Sequence, residues 1–205
     1  MHAVTTLLNI ACGQALPESD DSRARRLQLA ISAMFGALLL AAVWGMAAGS
    51  SSVTLALSNT LKVPLVVLLS AVAAIPAGML TWKLSGVKSS GSELLMAFAT
   101  AVFSGTMVMG ALSPVVALYY HSSTWAGPML GMGSVAAGVA LAIFVFVRRT
   151  FARAPKDAGR VALLFPVLVF VGVNLAALLQ LVALAAPILP ELTAFDGGID
   201  RLMSN

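Results

Sequence analysis

Apolar residues in this chain run in long blocks, with neither the alternation of a half-buried strand nor the narrow stripe of a soluble amphipathic helix. Blocks of about 18 or more largely apolar residues are long enough to cross a hydrocarbon core roughly 30 Å thick. Such blocks fall near residues 27–49, 63–82, 94–116, 125–147 and 161–185. Lipid offers no partner to a backbone N–H or C=O, so each block must pair its polar groups internally, as a helix does. The period-two pattern of a membrane barrel is missing. The pattern predicts an all-α, polytopic bundle of five transmembrane helices over residues 23–189. A segment 1–22 precedes it and a short tail 190–205 follows, with no room for a separate soluble domain.

The polar positions between the blocks punctuate this plan. HAVTTLLNIACGQAL (residues 2–16) is too short to span and reads as an interfacial segment. Asp20, Asp21 and Ser22 are suitable caps for the helix that carries RARR into the first span. Trp44 falls where an interfacial aromatic would sit. GSSSVTLALSNTLK reads as a short, mostly polar loop. Pro64 suits the first turn of the second span, and Pro76 should kink it. Ser90 and Glu93 have the spacing of a capping box opening the third span. Tyr119, Tyr120 and Trp125 predict an aromatic belt at one interface. In the fourth span, Gly127 and Gly131 form a GxxxG pair and Gly133 and Ala137 repeat the spacing, which predicts close helix packing.

Charge adds direction. The 205 residues are 60% hydrophobic and 10% charged, against about 25% charged in soluble domains. The net charge is +4, with 12 basic residues. Arg23, Arg25 and Arg26, then Lys83 and Lys88, then Arg148, Arg149, Arg153, Lys156 and Arg160 all fall on one side if the spans alternate. Only Lys62 and Arg201 fall on the other. Translocated loops are poor in Lys and Arg, so the N-terminus is expected in the cytoplasm and the C-terminus outside. The basic residues are a topology signal reinforced by anionic lipid, and nucleic acid is not an expected partner.

Candidate chemistry is sparse. The lone Cys12 rules out an internal disulfide. His2 and His121 both lie outside the spans, so two histidines cannot grip a haem between helices. Met107, Met109, Met129 and Met132 are soft donors that suit Cu(I), but methionine is also an adaptable gap-filler, and packing is the favoured reading. The spans hold no histidine, lysine or carboxylate to activate a nucleophile, and no glycine-rich phosphate loop occurs. No enzyme activity, metal or cofactor is expected. Asn174 and Gln180 are the most expensive side chains to place in lipid. With Ser104 and Thr106 they predict either interhelical hydrogen bonds, worth about 0.6–2 kcal/mol each, or a polar path.

Two runs, LKVPLVVLLSAVAAIPAGMLTWKLSG (61–86) and ALSPVVALYYHSS (111–123), are similar to segments of uncharacterised bacterial multi-span proteins loosely related to the Yip (Ypt-interacting protein) family. The resemblance covers about residues 25–185. It implies a cytoplasmic N-terminus, five spans, a short far-side tail, and a non-enzymatic protein that acts through partners or lipid. The family's Asp-Leu-Tyr-Gly-Pro element is absent, so the resemblance carries over neither a trafficking role nor a site residue.

Together these readings lead to a non-catalytic membrane subunit or scaffold of a bacterial inner membrane, with lipids, other subunits or further copies of itself as partners. The alternative is a transport component with a polar path along spans three and five.

Overall fold

The computed structural model describes residues 22–86, 90–122, 125–152 and 160–189, with Thr5, Thr6 and Asn9 helical in the segment before them; at 160–162 only the backbone is described. The rest of the segment 1–21, with His2, Cys12, Asp20 and Asp21, lies outside the described residues. So do Lys88, Arg153, Lys156 and the tail 190–205.

Five helices are long and apolar enough to cross a membrane: α1 (Arg23–Ala48), α2 (Val53–Leu84), α3 (Gly91–Ser122), α4 (Ala126–Ala152) and α5 (Arg160–Ala185). No strand occurs among the described residues. The chain is an all-helical, multi-pass membrane protein. Ser22 caps α1, its Oγ accepting the Arg25 N–H at 3.1 Å. The box expected at α3 does not form. The Ser90 hydroxyl bonds Ser92 at 2.9 Å, and Glu93 reaches across to Arg26 at 3.3 Å. That pair ties the starts of α1 and α3 together at what we call the basic end of the bundle.

The helices exceed the apolar blocks where polar side chains find local partners. The stretch read as a loop after Ser52 is the first part of α2. Ser58 and Thr60 donate to the carbonyls of Leu55 and Ala56, so both hydroxyls are satisfied without water. Pro64 therefore lies well inside α2 rather than in its first turn. Likewise α3 continues through Pro114 to Ser122. Asn59 is fully buried, and its Nδ2 donates to the Ile188 carbonyl at 2.6 Å. Lys62 reaches the Pro187 carbonyl. The chain leaving α5 is thus strapped beneath the start of α2.

Neighbours are not sequential. α3 packs along α1 on one side and α4 on the other, while α2 packs along α1 and α5. α2 touches α3 only sparingly, and α4 touches α5 equally little. The order across the bundle is α4–α3–α1–α2–α5, an arc whose two ends turn toward each other. Burial follows that order: 44% of the α3 span is buried but only 11% of α5.

Two further crossings are about as tight as that of α1 on α2, where a Cβ on Gly45 would press on the Asn59 carbonyl oxygen. A Cβ on Gly105 would lie 2.5 Å from the Gly138 carbonyl oxygen, so α3 and α4 meet backbone to backbone. At the other crossing, a Cβ on Gly78 of α2 would overlap the ring of Phe170 on α5.

Candidate functional site

The incomplete contact of α4 with α5 leaves a cleft of about 690 Å³. It is the feature of the described residues best suited to hold a molecule, within the range of about 300–1,000 Å³ typical of small-molecule sites. All five helices and the strap at Ile188 and Leu189 contribute to its wall. On α5 the residues Phe170, Asn174, Leu178 and Val182, each four apart, face it in one line, as a helical repeat of 3.6 places them.

Its basic end is closed by three rings from three helices. Phe98 (α3) meets Phe146 (α4) edge-on at 6.0 Å and Phe170 (α5) at 4.5 Å, and Phe146 lies 5.1 Å from Phe170. This cluster joins α4 to α5 where their backbones stay apart.

Trp44 forms part of the opposite end. It is 3% exposed, and its Nε1 donates to Ser134 Oγ at 2.8 Å while Ser134 donates to the Gly131 carbonyl at 2.7 Å. The sequence suggested an interfacial ring. The indole instead turns inward because a hydroxyl 90 residues away satisfies its N–H. Ser134→Ala should therefore strand a buried donor and cost about 1–2 kcal/mol. Adding Trp44→Phe to it should cost less than the two single losses combined. Equilibrium unfolding in mixed micelles reads both.

Four polar side chains line the cleft: Trp44, Ser70, Thr106 and Asn174, and no charged one does. Ser70 donates to Val67, and Thr106 to the carbonyls of Val102 and Phe103. Asn174 is the middle residue of the membrane-length part of α5, Leu163–Ala185. Its carboxamide has no hydrogen-bond partner among the described residues. An unpaired amide deep in hydrocarbon is costly, which makes this position the most informative in the cleft.

The other expected site residues divide. Ser104 is buried but off the cleft wall, its hydroxyl bonded to the Thr100 carbonyl. Gln180 is exposed on the outer face of α5. So of the four positions proposed for a polar path, Thr106 and Asn174 share the cleft and the other two do not. Gly127 and Gly131 pack on Tyr120 of α3. Gly133 and Ala137 face away from the bundle, and a Cβ at Gly133 would meet nothing within 4 Å. The close approach falls instead at Gly105 and Gly138, a pairing that sequence spacing could not show. Met109 and Met132 line the cleft, whereas Met107 packs beside Phe103 and Met129 is exposed. No group of three metal-ligating His, Cys, Asp or Glu side chains occurs among the described residues. At the basic end Arg148 is exposed and Arg149 half-exposed, and the side chain of Arg160 is not described.

Comparison with protein-family models, curated proteins and solved structures returned no match.

Proposed function

We propose that this protein is a non-catalytic membrane subunit that works by holding an apolar occupant, lipid or protein, in the cleft between α4 and α5. The observation that carries this reading is a deep, uncharged cleft at the place where the arc of helices fails to close. A path for ions or polar solutes would be lined by paired or ionisable groups, and this wall is almost wholly alkyl and aromatic. The resemblance to Yip-related proteins, which implies action through partners or lipid, points the same way. The excess of basic residues at one end favours an N-terminus in the cytoplasm of a bacterium, with the protein in the inner membrane.

Native mass spectrometry of the full chain, released from its own membranes in lipid particles, tests the reading. A lipid or protein mass should accompany the chain in stoichiometric amount. Ala136 is exposed at the cleft wall, so Ala136→Phe should fill the opening without disturbing the core and release that mass. A bare chain, or an adduct that Ala136→Phe leaves unchanged, would sink the proposal.

A further inference from the structure

Resting on that reading of the cleft, we infer that its occupant is a single neutral, chain-like lipid bearing a carbonyl group, of the chemical class of the membrane quinones. The carbonyl accepts a hydrogen bond from Asn174 while the hydrocarbon lies along α5.

Shape suits an extended chain. On α5 the cleft wall runs from Phe170 to Val182, and on α4 from Gly131 to Phe146. At 1.5 Å rise per residue that is about 20 Å. A volume of about 690 Å³ spread over that length makes the cleft long and narrow. An alkyl chain, which packs at about 4 Å from its neighbours, passes easily.

Charge and depth narrow the class. A phospholipid or fatty acid keeps its charged group, and the carbonyl beside it, at the interface. Asn174 stands eleven residues from each end of Leu163–Ala185, about 16 Å from either end of that helix. A carbonyl that reaches it belongs to a head group able to enter hydrocarbon, which means an uncharged one. No charged side chain lines the cleft to oppose this.

Hydrogen-bond bookkeeping then sets the polarity. Trp44, Ser70 and Thr106 spend their hydrogens on Ser134, Val67, and Val102 and Phe103. Of the polar side chains lining the cleft, Asn174 alone keeps N–H groups to offer. A ligand carbonyl would satisfy those N–H groups, while the Asn174 Oδ1 stays an acceptor toward the cleft.

The test uses the full-length chain in nanodiscs with Trp82→Phe and Trp125→Phe, which leaves Trp44 at the cleft as the sole indole. Decylubiquinone should quench it saturably, at about one molecule per chain. Asn174→Leu should weaken binding about three- to tenfold, the range of one amide–carbonyl hydrogen bond. Ala136→Phe should abolish the saturable phase. Decylbenzene, of similar shape without carbonyls, should compete poorly.

Quenching that rises linearly with quinone and is the same in all variants would overturn the inference. So would equal competition by decylbenzene together with unchanged affinity in Asn174→Leu. If brominated phosphatidylcholine quenches Trp44 and quinone then adds no saturable phase, ordinary bilayer lipid fills the cleft. The inference then fails while the broader reading stands. That broader reading falls if the chain carries no mass, or if Ala136→Phe leaves the co-purified mass unaltered.

Discussion

Gly105→Leu should force α3 and α4 apart and destabilise the bundle by about 3 kcal/mol, the upper part of the usual range for overpacking. The cause is what stands opposite. A Cβ at residue 105 meets the Gly138 carbonyl oxygen at 2.5 Å and the Ala142 methyl at 3.0 Å. Backbone cannot rotate out of the way as a side chain can, so the helix itself must retreat. In lipid that retreat is doubly harmful. Hydrocarbon is as apolar as the side chains it replaces, so close packing rather than the hydrophobic effect holds membrane helices together. Gly133→Leu is the internal control: same residue type, on the partner helix α4, with open space around the added atoms. Unfolding by detergent titration in mixed micelles should show a large loss for the first and almost none for the second. Equal stabilities would remove Gly105 and Gly138 from the packing account.

The second large effect is expected where α2 crosses α5. Phe170 is 1% exposed, touches two further rings, and fills the space a side chain at residue 78 would need. Phe170→Ala should cost about 2–3 kcal/mol, at or below the low end of the roughly 3–5 kcal/mol seen in soluble cores. The lower figure follows because the ring loses packing and two aromatic pairs but little transfer energy on meeting lipid. Gly78→Leu should cost a similar amount by overpacking. The two together should cost less than their sum, by about 1 kcal/mol or more, since the leucine enters the volume that the ring vacates. Strict additivity in a double-mutant cycle would mean that the two residues do not share that space.

The number of helices was legible because lipid imposes a length and a polarity that each block meets on its own. What the sequence hid depends on neighbours. Asn174 and Gln180 look alike as polar residues six positions apart on one helix, yet one enters the cleft and the other faces outward. Six positions set them about 120° apart around the helix, so they cannot share a face, and only the place of α2 shows which one looks into the bundle. The pair at Gly127 and Gly131 was visible through its spacing. Gly105 and Gly138 carry the closer crossing as isolated glycines on different helices. Val53–Lys62 read as a loop from its polarity, because nothing local announces that Asn59 will be met by the carbonyl of Ile188. Trp44 was assigned to the interface by the same kind of error, since its partner Ser134 belongs to another span.

The order α4–α3–α1–α2–α5 also has a meaning in time. As the chain leaves the ribosome, α1 to α4 can complete their contacts with one another before α5 enters the bilayer. The last helix then docks on a finished surface, along α2 and the rings of Phe98 and Phe146. Its later departure would break few contacts among the others. The wall of the cleft that carries Asn174 is thus the part of the bundle added last, and the one most easily displaced when a molecule enters or leaves sideways from the lipid.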